Sequence, residues 1–176
     1  MSTRNTLLAA CSAIVAWHGA AWAESPHLGK IASPEEIASW DLSISPDGAG
    51  LPSGSGTPRQ GEQVYLAKCL ACHGEKGAGK PNDRLVGGQE LLAPGQAPVK
   101  TVGNFWPYAT TVFDYVRRAM PLNEPKSLDD DEVYAVVAYL LWLNGIIAEN
   151  DTMDAKTLPA VRMPNRDWFV RFSRGR

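Results

Sequence analysis

Cys69-Leu70-Ala71-Cys72-His73 places two thiols and an imidazole within five residues. On a helical turn these three stand at i, i+3 and i+4, so their side chains leave one face. Thiols so spaced can add across the two vinyl groups of a haem while the next residue offers its ring nitrogen to the iron. C-x-x-C-H is the attachment signature of a c-type haem. Rival chemistries ask for more than the chain offers. A thioredoxin-like C-x-x-C wants a βαβ context, and no strand pattern precedes this one. A structural zinc site needs four ligands, and once a signal segment over residues 1–23 is removed only the distant His27 would remain besides Cys69, Cys72 and His73.

An electron-carrying haem iron usually takes a second axial side chain, most often Met. In the chain that would remain after signal removal, Met120, Met153, Met163 and His27 are the candidates. Phe113, Val116, Arg117 and Met120 follow the i, i+3, i+4, i+7 spacing of a helix starting near Thr110 or Thr111. The Met120 sulfur would therefore leave the same stripe as Phe113 and Val116. Pro121 ends that helix and restricts the backbone of Met120. Met163 is also followed by proline, but it sits in a polar, arginine-rich tail. Met120 is the expected ligand, against the plainer reading of core filler, which Met serves well.

Several elements must position these groups. Thr57-Pro58-Arg59-Gln60 reads as a capping box with Pro in the first turn. It opens a helix over 60–71 with Val64, Leu66, Ala67 and Leu70 as its apolar surface. Gly61 marks either a close helix crossing or mere first-turn tolerance. A second strong helix is read over 127–144, with Ser127 as cap, four acids (Asp129, Asp130, Asp131, Glu132) in the first turn and Asn144-Gly145 as its stop. Val133, Val136, Val137, Leu140 and Leu141 would face inward, and this helix is expected to meet the Gly61 region. The acids suit the helix dipole better than a docking patch. Between haem motif and Met120 helix, residues 74–109 form a Gly/Pro-rich wrap for which a cofactor would supply the core. Pro81 and Leu85 are candidates for the proximal haem wall, and a carbonyl near Pro81 could orient the His73 ring. Trp106 and Tyr108 have polar tips suited to haem propionates, and Arg117 and Arg118 could serve there too.

The 176 residues, 44% hydrophobic and 20% charged, fit one globular domain and not a disordered chain. A net charge of −2 supplies no field to hold nucleic acid. Residues 1–23 read as a secretory signal: Arg4, an apolar run from Leu7 to Trp17, and Ala21-Trp22-Ala23 before the expected cleavage. That run is too short to span a membrane. Leu8-Ala9-Ala10-Cys11 also resembles a lipoprotein box, a weaker fit to the flanking sequence. Export to the periplasm would leave Cys69 and Cys72 as the only thiols in an oxidising compartment, where an unused pair would form a disulfide. The expected organisation is an N-terminal arm over 24–56 with one short helix after Ser33, a haem-bearing domain over 57–150, and a solvated tail over 151–176.

From Gln60 to Gly145 the sequence resembles a class I cytochrome c domain, an all-α fold of short helices around one covalent haem c. The run from Thr101 to Pro121, with Asp131-Glu132-Val133-Tyr134-Ala135-Val136, Asn144-Gly145 and Met163-Pro164-Asn165, looks like the cytochrome subunit of the Sox sulfane dehydrogenase. Trp40-Asp41 and Pro46-Asp47-Gly48 fit that family too, and cytochrome partners of molybdenum sulfite dehydrogenases are similar. The resemblance implies a periplasmic carrier, no enzyme on its own, that takes electrons from a molybdopterin-containing sulfite or sulfane dehydrogenase subunit. It would pass them to a downstream c-type cytochrome or oxidase. By the same comparison Cys69 and Cys72 are the thioether sites, with His73 and Met120 the axial ligands. Some family members carry two haem domains, whereas this chain has a single C-x-x-C-H. Two other readings of the residues are a general carrier without a sulfur partner and a haem protein that reacts with peroxide or small ligands.

Overall fold

The computed structural model describes residues 28–88, 97 and 99–168, so the signal segment, His27 and the last aromatic residues lie outside the described part. The chain divides into two units between Ile37 and Ala38. In the first, Ser33 and Glu36 cap each other: the Ser33 amide donates to Glu36 Oε2 (2.9 Å) and the Glu36 amide to Ser33 Oγ (3.2 Å). This opens α1, Pro34–Trp40, the short helix expected in the arm.

The second unit is built on helices. β1 (Ser55–Gly56) leads into α2 (Pro58–Lys68), and α3 (Leu70–His73) follows at once. After the wrap come α4 (Ala109–Ala119), α5 (Asp130–Leu143) and β2 (Met153–Asp154). β2 pairs antiparallel with β1, Gly56 opposite Met153, and this ribbon is the only sheet among the described residues.

Thr57 caps α2 as expected, its hydroxyl accepting from the Gln60 amide while Gln60 Oε1 takes the Thr57 N–H at 2.9 Å. The helix does not run through to Ala71, however. It stops at Lys68, and Cys69 is both its end and the start of α3. Its inner face also differs from expectation, because Pro58, Gly61 and Tyr65 are buried while Leu66 and Ala67 are exposed. The reason is the crossing with α5. A Cβ on Gly61 would overlap the carbonyl oxygen of Ala135, so only glycine lets the two backbones meet.

α5 is the axle of the fold. Its N-cap is Asp129, not Ser127: Asp129 Oδ1 accepts from the Glu132 amide (2.8 Å) and Glu132 Oε2 from the Asp129 amide (3.0 Å). Ser127 is spent in the preceding turn, its amide bonded to Glu124 O. Asp130 pairs with Arg117 at 3.0 Å, and Asp131 Oδ1 accepts from the Ser55 amide at 2.7 Å. All four acids thus have structural partners, as expected of charges that serve the helix dipole. Burial is continuous from Val133 to Leu141, wider than one inward face, because α2, α4, β1 and β2 surround the helix.

As far as residue 168, the segment after Asp151 is not a solvated tail. Met153, Leu158 and Met163 are buried in the same core as Tyr65, Phe113 and Tyr134. Arginine content concealed this, since the three apolar anchors are too widely spaced to form a helical or strand period.

Candidate functional site

The site begins where α2 ends. The amides of Cys72 and His73 both turn back to Cys69 O, at 3.2 and 2.9 Å, closing the turn that aligns the three side chains. Gly74, at φ +73°, then reverses the chain, and a Cβ there would overlap Gly79 O. Gly79 N–H donates to His73 O (2.7 Å) and Asn82 N–H to Cys72 O (2.8 Å), folding the next segment back over the motif. Tyr65, fully buried one turn before Cys69, donates its hydroxyl to Gly74 O at 2.7 Å and fixes this reversal from beneath.

His73 Nδ1 lies 2.8 Å from the carbonyl oxygen of Asp83. A carbonyl only accepts, so Nδ1 carries the proton and Nε2 keeps the lone pair, ready for a metal. The expected carbonyl near Pro81 is therefore that of Asp83, two residues further on. Cys69 is half-buried and Cys72 exposed, and neither is in a disulfide. Burial pushes the Cys69 thiol up to about 11, with the neighbouring Cys72 thiol adding to it.

Haem c fits these residues. Its two thioethers need thiols on one face of a turn, and its iron needs a nitrogen whose partner atom is already engaged. Its flat faces need apolar walls. Leu70, Leu85, Val86, Trp106 and Met120 are half-buried and border the core without being absorbed into it. Among the described residues no cluster of His, Cys, Asp and Glu would hold a bare metal ion instead.

Met120 ends α4 in extended backbone (φ −118°, ψ 145°), as a residue before proline must, with its amide on Val116 O at 3.0 Å. Met153 and Met163 are only 4% and 1% exposed and are consumed as core. Of these three methionines, Met120 alone keeps a half-buried side chain.

The other predicted residues are placed as follows. Pro81 is exposed, and Leu85 half-buried against the core. The Trp106 ring lies 5.7 Å from that of Tyr115, and the Arg166 guanidinium sits 5.2 Å above Tyr108. Arg117 and Arg118 are committed to Asp130 and Asp114, so their charges are already answered within the protein. The sequence pattern did not single out Tyr65 or the bonding role of Asn144. Tyr65 hid among apolar helix residues. Asn144 passed for a mere helix stop, although an Asn before a glycine at φ +68° has its amide free to bond neighbouring loops.

Residues 56–140 match the family model for cytochrome C oxidase, cbb3-type, subunit III. Thiosulfate dehydrogenase of Allochromatium vinosum is 29% identical over 115 residues, which is 65% of this chain and 38% of that protein. The chain thus spans under two-fifths of the length of that curated relative. A chain of the sulfane dehydrogenase SoxCD from Paracoccus pantotrophus superimposes with TM-score 0.76 at 38% identity, covering 83% of this chain and 72% of its own. With a C-x-x-C-H turn, an oriented imidazole and this likeness in hand, the chain belongs to the cytochrome c family.

Proposed function

We propose that the chain is a periplasmic, mono-haem cytochrome c that carries single electrons away from a molybdopterin-containing sulfite or sulfane dehydrogenase subunit. Membership of the family implies covalent haem c, and the bound iron supplies a one-electron couple. The protein's part is to hold and tune it. Cys69 and Cys72 anchor the macrocycle, His73 presents Nε2, and Met120 supplies a thioether that favours the reduced state. Pro81, Leu85, Trp106 and Tyr108 wall the pocket. The observation that carries this reading is the His73 ring, oriented by Asp83 O at 2.8 Å on the turn that bears both thiols.

The sulfur partner is supported by the relatives, a thiosulfate dehydrogenase and a chain of a sulfane dehydrogenase. Electrons would leave to another c-type cytochrome or an oxidase. No described helix is long and apolar enough to cross a membrane. Produced in a host that attaches haem, the protein should gain the mass of one haem, and Cys69→Ala with Cys72→Ala should abolish the gain. A colourless product of bare polypeptide mass would refute the reading. Stopped-flow reduction by a purified molybdenum sulfite or sulfane dehydrogenase should be much faster than for an unrelated cytochrome c; equal rates would remove the sulfur partner.

A further inference from the structure

Beyond the ligands themselves, the acceptor of the His73 proton must be held in place. Asp83 lies in a segment, 82–87, without regular structure of its own. At its start, Asn82 N–H bonds Cys72 O. At its end, the Leu85 and Val86 amides reach Gly77 O (2.9 and 3.1 Å), and Thr101 Oγ1 donates to Gly87 O (2.5 Å). Gly77 and Thr101 lie outside the long helices. Asn144, the C-cap of α5, joins the segment to the rigid axle of the fold. Its Oδ1 accepts from Gly87 N–H at 3.1 Å, and its Nδ2 donates to Leu85 O at 3.3 Å and to Leu140 O at 2.8 Å. A Cβ on Gly103 would overlap this amide, so the third wall of its slot is glycine.

We infer that Asn144 is a positioning residue for the haem ligand. By clasping Leu85 and Gly87 to the end of α5 it fixes the Asp83 carbonyl against His73 Nδ1. A firm Nδ1–H···O bond makes the imidazole a more basic donor, and such outer partners tune the metal. A more basic ligand favours the oxidised iron. Asn144 therefore holds the reduction potential down, without touching ligand or cofactor.

The inference rests on the proposed His73 ligation, and the experiment separates the two. Holoprotein carrying Asn144→Ala should show a higher reduction potential, shifting the one-electron equilibrium about threefold or more, where tenfold corresponds to ~59 mV. The ring Nδ1–H resonance of His73 should move upfield, and the Gly87 amide should exchange faster. Tyr134→Phe, which removes a hydrogen bond elsewhere on α5 (to Pro52 O, 2.9 Å), should leave the potential unchanged. If Asn144→Ala is not recovered, the near-isosteric Asn144→Leu carries the test with the same outcomes, since it loses both the acceptor for Gly87 and the donor to Leu85 without adding charge. An unmoved potential and resonance, or an equal shift in Tyr134→Phe, overturns the inference. Wild-type protein without covalent haem would instead defeat the reading beneath it.

Discussion

At the scale of single residues, the site divides the labour between groups that bond and groups that hold. Met120 is proposed for the first kind. Met120→Ala in the holoprotein should remove the weak red iron–thioether band of the oxidised state and lower the potential, because the soft ligand that favours reduced iron is gone. Optical spectra and a redox titration check both. Tyr65 belongs to the second kind. Tyr65→Phe removes the shorter of the two bonds to Gly74 O, leaving the Gly77 amide at 3.3 Å, and should cost about 1 kcal/mol in denaturant unfolding. Burial pushes the hydroxyls of Tyr65 and Tyr134 up to about 12. Between their ordinary value near 10 and that figure, the unfolded chain releases protons that the folded one keeps. Their contribution to stability is therefore whole below pH 10 and lost as pH rises towards 12. A pH series of unfolding curves should show that fall, and Tyr65→Phe should flatten it. The Cys69–His73 turn proposed to carry the haem was legible in the sequence because its three side-chain types are contiguous and at a fixed spacing. The Asp83 carbonyl was legible only to within two residues, since any residue can offer a main-chain oxygen.

At the scale of elements, the decisive event is the meeting of α2 and α5 at Gly61 and Ala135. Gly61→Ala should push the helices apart and cost about 3 kcal/mol or more, read as a lower midpoint in urea. Loss of the α5 cap by Asp129→Ala should cost only about 1 kcal/mol, a local effect at an exposed end. These elements were readable in unequal degree. Capping boxes are contiguous signals, so Thr57–Gln60 stood out; Ser127 misled because it too is a good cap type, two residues early. The break at Cys69 left no mark, since Lys68, Cys69 and Leu70 are each compatible with continued helix. The true inner face of α2 could not be read from hydrophobicity either. It is made of a proline, a glycine and a tyrosine, chosen for how closely a neighbour approaches and not for apolar area.

At the scale of the whole molecule, the C-terminal segment changes the picture most. Leu158, fully buried, is predicted to cost about 2–5 kcal/mol when truncated in Leu158→Ala, measured by thermal or denaturant unfolding. A solvated tail would give no change. Three anchors scattered through polar, arginine-bearing sequence have no periodicity to betray them; only the tertiary fold shows where they go. Their placement has a consequence for how the molecule is made. β2 closes on β1, which stands at the other end of the same domain in the chain. Gly56 is made well before its partner Met153, so the first strand stays unpaired while the haem-motif turn, α4 and α5 are being added. Closure of the ribbon therefore comes after these elements, leaving an interval in which the Cys69–Cys72 turn would still be open to the haem attachment proposed for it.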